Sequence, residues 1–216
     1  MTTGPWIVTL VIALIIFAES GLLIGFFLPG DSLLFSAGFL MSAGKLDFDI
    51  HFFVVIMFLA AVIGDGVGYL FGRRIGPKIF KRPNSLLFRQ ENIEKAKEFY
   101  EKHGSITIVI ARFIPVVRTF APIVAGVGQM KYKSFLTFNV IGALLWAVGI
   151  TYAGFYIGEV LHSMGIEIDT VLLPIILVIL ISSVLPPAIH ILKDKDRRYS
   201  IWNGTKKQIK ILLRRK

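Results

Sequence analysis

Four ionisable residues lie in otherwise apolar, proline-broken stretches of this 216-residue chain: Glu19, Asp31, Arg112 and Arg118. A charge held at bilayer depth costs roughly 2.5–3.5 kcal/mol on insertion scales. Two acids and two arginines kept at such a cost point to a polar cavity inside a membrane protein. Arginine does not give up its charge, so the expected occupant is an anion. Arg112 and Arg118 are six positions apart with Pro115 between them. On an unbroken helix they would point roughly 240° apart, whereas a break at Pro115 lets both guanidinium groups converge. A guanidinium grips phosphate oxygens in bidentate fashion, which makes this pair the candidate phosphate-binding residues. The blander reading is that both arginines simply pair with Glu19 and Asp31. The two readings are compatible if the ion network opens to admit an anionic head group.

Glu19 and Asp31 differ from the arginines because they can exchange a proton, and they are the candidate proton-coupling residues. Asp31 follows Pro29-Gly30, the expected tip of a hairpin, so it is alternatively a helix cap. Asp65 is either a third pathway acid or a helix-packing hydrogen bonder, and ranks below the other two. The histidines, His51, His103, His162 and His190, form no ligand-spaced cluster, so no metal site is expected. No phosphate-cradling Gly-x-x-x-x-Gly-Lys loop and no Gly-x-Ser-x-Gly elbow is present. ATP drive, enzymatic chemistry and a cofactor are therefore not expected.

The elements that must position these residues are membrane helices. The chain is 55% hydrophobic and 18% charged, with a mean hydropathy of +0.71. Residues 134–158 and 170–189 carry no charge, and each run is long enough to span the ~30 Å hydrocarbon core. The first apolar stretch has no basic residue before it and Glu19 follows directly, so no cleavable signal peptide is expected. Cysteine is absent, which excludes disulfides and thiolate chemistry. The net charge of +10 is clustered rather than spread. Nine basic residues fall between Arg73 and Lys102 and ten between Lys193 and Lys216, beside apolar spans. That is the positive-inside pattern rather than a nucleic-acid surface.

This clustering makes the 193–216 tail and the Arg73–Lys102 region cytoplasmic, with Asp47–His51 and Glu159–Asp169 outside. A single membrane domain over 1–192 then has spanning helices at about 50–72, 134–158 and 170–192. The region 104–130 begins and ends beside cytoplasmic charge, yet each arm is only about 12 residues, against the ~20 needed to cross. A re-entrant hairpin bent near Pro115 is predicted, with a counterpart over 5–46 entering from the other side. The first arm of that counterpart is longer, and a full crossing is the alternative. Residues 85–103 read as an amphipathic helix on the cytoplasmic surface, with Ile93, Ala96, Phe99 and Tyr100 on one stripe.

Small residues recur on the long helices. Gly64, Gly68, Gly72 and Gly76 follow one another at every fourth position, ending in Gly72-Arg73-Arg74-Ile75-Gly76. Gly154-Phe155-Tyr156-Ile157-Gly158 repeats the Gly-x-x-Ile-Gly pattern 82 residues later. Such ridges let helices pack closely. With a polar, proline-broken hairpin before each, they predict an inverted repeat.

At these residues the sequence resembles the DedA family, whose shared region is also called the SNARE-associated or VTT domain. The matching features begin with Glu19, Phe27-Leu28-Pro29-Gly30-Asp31-Ser32 and Gly72-Arg73-Arg74-Ile75-Gly76. They continue with His103-Gly104, Arg112-Phe113-Ile114-Pro115-Val116-Val117-Arg118-Thr119, Gly126 and the aromatic-glycine helix around Trp146. The ordered set covers about residues 15–160. The resemblance implies paired re-entrant hairpins and movement of lipids between leaflets, and it implies that Glu19, Asp31, Arg112 and Arg118 are needed in proton-dependent members.

The expected protein is thus an all-α, multi-pass protein of the bacterial cell membrane with its C-terminus in the cytoplasm. Its expected activity is proton-coupled flipping of a phosphate-bearing lipid, and the resemblance implies undecaprenyl phosphate as the leading candidate. The alternatives are a phosphatidylethanolamine flippase or passive scramblase, a small-cation antiporter, and a non-transporting membrane scaffold.

Overall fold

The computed structural model describes residues 3–22, 28–79, 100, 102–166 and 174. The chain divides into two compact units, Met1–Val171 and Leu172–Lys216. Only Pro174 of the second is described, and every helix named here belongs to the first. The expected span at 170–192 apart from Pro174, the tail, and all of the 85–103 helix except Tyr100, Lys102 and His103 lie outside the described residues.

Among the described residues every regular element is a helix: α1 (Thr3–Gly21), α2 (Gly30–Ser42), α3 (Ile50–Ile79), α4 (Thr107–Arg112), α5 (Pro115–Val127) and α6 (Tyr132–Ser163). Their boundaries come from local chemistry. In α1 the proline, Pro5, sits in the first turn, where its missing N–H has no intrahelical partner to lose. Asp49 caps α3, its Oδ1 accepting from the Phe52 N–H at 2.8 Å. Beyond α2 the chain turns at Gly44, and beyond α6 at Gly165, with φ of +66° and +73°. Glycine takes that left-handed conformation without strain. The break between α4 and α5 falls at Ile114, which is extended (φ −111°, ψ 107°) immediately before Pro115. The proline ring disfavours helical geometry at the residue preceding it.

Among the described residues, three helices are long and apolar enough to cross a membrane: Gly4–Gly21, Ile50–Arg74 and Tyr132–Ser163. The predicted spans 50–72 and 134–158 lie inside α3 and α6, each of which is longer than read from sequence. The first arm of the 5–46 region, α1, has 19 residues, so by length and composition it is long enough for a full crossing. The other elements are not. α2 and α5 have 13 residues each and α4 has six, and at 1.5 Å per residue none covers a ~30 Å core. The exposed faces are apolar, as lipid-facing surfaces are: Leu10 and Leu14 on α1, Leu59 and Ile63 on α3, Leu144 and Leu145 on α6.

The glycines set the helix crossings. On α3, a Cβ at Gly72 would collide with the Ile123 backbone of α5, and one at Gly126 of α5 would collide with the Tyr69 backbone. On α6, a Cβ at Gly154 would collide with the Phe35 backbone of α2, and one at Gly38 of α2 with the Thr151 backbone. Both crossings therefore use one glycine from each helix, three residues from the position that receives the other. Gly64 packs on Phe17 and Gly21 of α1, and Gly68 lies against Gly21, Pro122 and Ile123. Gly158 sits against Ser42. Gly76 lies within α3.

Helices α3 and α6 are tied together along their length. His51 bonds Tyr152 at one end, the Asn139 amide donates to the Val62 carbonyl at 3.2 Å, and Tyr69 stacks on Phe135 at 4.4 Å near the other end. Backbone cannot move aside as a side chain can, so Gly72→Leu and Gly154→Leu should each destabilise by about 2 kcal/mol or more. The check is thermal unfolding in detergent. Gly149→Leu, at a position where an added Cβ would meet nothing within 4 Å, should leave Tm unchanged.

Candidate functional site

The site is assembled where the breaks in the short helices meet the long ones. Glu19 is two residues from the end of α1, and Asp31 is in the first turn of α2, just after Pro29. Asp65 is mid-way along α3. Arg112 is the last residue of α4, and Arg118 is in the first turn of α5. With the extended Ile114 and Pro115 between them, the two arginines leave separate helices and are no longer bound to the 240° offset of a continuous one.

They do not, however, share partners. Arg118 Nη1 donates to Asp31 Oδ1 at 2.5 Å, and its Nη2 donates to Glu19 Oε1. Arg112 Nη2 donates to Asp65 Oδ2 and to Asn139 Oδ1, the latter at 2.8 Å. So the pairing of both arginines with Glu19 and Asp31 is realised by Arg118 alone, and Asp65 takes the second arginine. Trp146 of α6 joins the two halves. Its indole N–H donates to Asp31 Oδ1 at 2.7 Å. The Arg112 and Arg118 guanidinium carbons lie 5.6 and 5.3 Å from the ring centroid, within cation–π range.

The network is deeply placed. Glu19, Asp65, Arg112, Asn139 and Trp146 are all buried, and Asp31 is the most open member, its side chain 34% exposed. When every group is ionised, three carboxylates face two guanidinium groups, an excess of one negative charge. Hydrogen bonding is incomplete at one place: Glu19 Oε2 and Arg118 Nε are buried without a partner. A cavity of about 10 Å³ lies among Ser20, Asp65, Arg112, Arg118 and Trp146. That is room for about one water and not for a phosphate. Among the described residues no group of His, Cys, Asp and Glu could hold a metal ion.

Glycines bring the charged residues together. Gly30 is buried, and a Cβ there would collide with Glu19 Oε2. Gly142 of α6 lets α4 approach, its Cβ position lying 3.3 Å from Val109 Cα and 3.6 Å from Arg112 Nε. Gly30→Ala should therefore displace the Glu19 carboxylate from Arg118 while leaving α2 helical. The expected outcome is at least a tenfold loss of site function with unfolding temperature lowered only modestly, checked by pairing transport assays with thermal unfolding.

Two members of this network do not stand out as site residues in the sequence. Asn139 is the one carboxamide in the uncharged run 134–158, and Trp146 falls seven residues later on the same helical face. A polar side chain kept in an apolar span, with a large amphipathic one in register, is the signal that sequence offers. Trp146 enters the sequence reading only as a landmark of the family resemblance.

Comparison with known proteins fits this arrangement into a family. The family model described as the VTT domain matches residues 28–156. Protein DedA of Escherichia coli (strain K12) is 47% identical over 192 residues, 89% of this chain and 85% of that protein. An uncharacterized membrane protein of Mycobacterium leprae (strain TN) is 47% identical over 146 residues, 68% of this chain and 64% of that protein. Inner membrane protein YqjA of Escherichia coli (strain K12) is 33% identical over 149 residues, 69% of this chain and 67% of that protein. No solved structure matches. The match spans the helices that carry Asp31, Asp65, Arg112, Arg118 and Trp146, and the chain belongs to the DedA family of VTT-domain membrane proteins.

Proposed function

We propose that this protein is a flippase that moves a phosphate-bearing lipid between leaflets of the bacterial cell membrane, with proton exchange at Glu19 and Asp31. The observation that carries the reading is Arg118. Its guanidinium is held by two carboxylates from two different helices, buried among helices long enough to span a membrane. A carboxylate can surrender a guanidinium when it takes up a proton, and a phosphate can then take its place with the same bidentate geometry. The excess negative charge of the network favours such an exchange, because protonation of an acid accompanies entry of an anion. The head group enters and the acyl or prenyl chain stays in lipid against the apolar outer faces.

Undecaprenyl phosphate is the leading substrate, because a monoester phosphate offers three oxygens and no cation of its own to compete for the arginines. Phosphatidylethanolamine is the second candidate, its ammonium meeting the acids. The activity needs no enzyme chemistry, metal or cofactor. Protons and the lipid are the partners.

The architecture we propose is an inverted repeat. The α1–α2 and α4–α5 pairs are hairpins from opposite sides, α4–α5 re-entrant, and the basic tail is cytoplasmic. The equivalent glycine crossings of α5 on α3 and α2 on α6 support it, as do the short, proline-broken arms. In this arrangement the hairpin tips bring their charges to the middle of the membrane, where such transporters hold substrates.

One observation favours a second reading. The cavity is small and most of its charges are mutually paired, as expected of a static network in a scaffold. Purified protein in liposomes separates these classes. A flippase moves labelled lipid across the bilayer, a small-cation antiporter moves cations without lipid, and a scaffold moves neither.

A further inference from the structure

The two arginines differ in how their surroundings are built. Around Arg112 the holding groups are deeply buried and stand on the long helices. Its guanidinium is held by Asp65 of α3 and Asn139 of α6, and the Asn139 amide is itself tied to the Val62 carbonyl of α3. Arg112, Asp65 and Asn139 are 5%, 5% and 0% exposed, and Arg112 Nη2 makes both of these bonds. Both holding residues stand on the long helices α3 and α6, which are clamped to each other at His51–Tyr152 and Tyr69–Phe135. Gly142 seats the arginine directly against α6.

Arg118 is held differently. Its carboxylates come from the end of α1 and the start of α2. Buried Arg118 Nε and Glu19 Oε2 have no partner, and Asp31 is the most open residue of the network. A buried donor without a partner is costly, and it marks the half of the site with bonds still to make. Trp146 touches both halves, so a change at Arg118 reaches its ring while Arg112 stays in place.

We infer that Asp65 and Asn139 are positioning residues that lock Arg112 as a fixed cation beside Trp146, so that a phosphate head group trades places with Glu19 and Asp31 on Arg118 alone. This rests on the phosphate-lipid reading and divides its work unequally between the two arginines. Arg112 contributes attraction without contact exchange; Arg118 makes and breaks the bonds.

The test uses the full chain in detergent with Trp6 and Trp202 replaced by Phe, leaving Trp146 as the single tryptophan reporter. Dodecyl phosphate is the probe, titrated while Trp146 emission is followed. The expected result is a saturable change that Arg118→Gln abolishes and that Arg112→Gln retains with an apparent Kd raised no more than about tenfold. Asp65→Asn frees Arg112 to reach the phosphate as a second guanidinium, so the apparent Kd should fall about tenfold. Turnover in liposomes should fall as well, because release slows. Asp65→Glu keeps the ion pair and should restore both values to within about threefold of the parent. A purely structural role for Asp65 would weaken binding instead, so unchanged or weaker binding by Asp65→Asn overturns the inference. Loss of the response in both arginine variants, or in Arg112→Gln alone, overturns it too, even if Asp65→Asn fails to fold, and leaves the lipid reading standing. A parent protein whose Trp146 emission ignores dodecyl phosphate overturns the lipid reading and the inference with it.

Discussion

Arg118→Gln should reduce lipid translocation by at least 100-fold while the protein still inserts and folds. The substitution removes the cation bonded to Glu19 and Asp31 and leaves two acids beside each other among the helices. Breaking a buried ion pair by deleting one partner costs about 3–5 kcal/mol, and each 1.36 kcal/mol is worth about tenfold in a rate. Protonation of the acids absorbs part of that cost, which is why the fold should survive and the transport should not. Arg118→Lys keeps the charge but loses the planar fork that reaches two carboxylates at once. It should retain only a few per cent of activity. The measurement is translocation of labelled lipid by each variant in liposomes, normalised to folded protein recovered by gel filtration. Full activity in Arg118→Lys would show that the fork geometry does not matter and would favour a static network.

Glu19→Gln and Asp31→Asn should separate movement from drive. Each mimics a protonated acid that cannot release its proton. With one carboxylate neutralised, Arg118 is held less firmly and head-group exchange continues down a gradient. What is lost is the coupling, so accumulation against a gradient should disappear in both variants. In the parent, lipid accumulation should depend on the pH difference and collapse when a protonophore removes it. A ligand shifts an equilibrium only by its differential affinity for the two states, so the acids matter only if protonation changes how Arg118 holds phosphate. Parent activity that ignores pH, protonophore and both substitutions leaves a passive scramblase.

Much of the helical frame is legible in the sequence because its physical causes are local. The uncharged run 134–158 marks α6, an apolar stretch ending at the basic cluster from Arg73 marks α3, and Pro115 together with the short arms on either side marks the break between α4 and α5. The glycine ridges at Gly72 and Gly154 report close packing correctly, but which helix each meets depends on the three-dimensional arrangement. The first arm shows the limit of length arguments. Residues 5–46 read as a hairpin with a polar tip, and α1 proves long enough to cross by itself.

The candidate site is legible by residue type and not by partner. Glu19, Asp31, Arg112 and Arg118 stand out because charge in apolar surroundings is costly. Sequence spacing cannot say which acid reaches which arginine when five helices intervene. Asp65 ranks below the other two acids in the sequence because it sits in a glycine ridge where a packing role is equally natural, and in the structure it is the partner of Arg112. Asn139 and Trp146 escape notice because an amide and an indole carry no charge, although their seven-residue spacing places them on one face.

The most direct measurement is transbilayer movement of head groups in liposomes containing only this protein, with a polyprenyl phosphate and phosphatidylethanolamine assayed side by side under an imposed pH difference. The expected result is protein-dependent movement of the polyprenyl phosphate, faster than that of phosphatidylethanolamine and lost in Arg118→Gln. Movement of neither lipid above protein-free liposomes, by protein shown to be folded, would contradict a flippase built on Arg118.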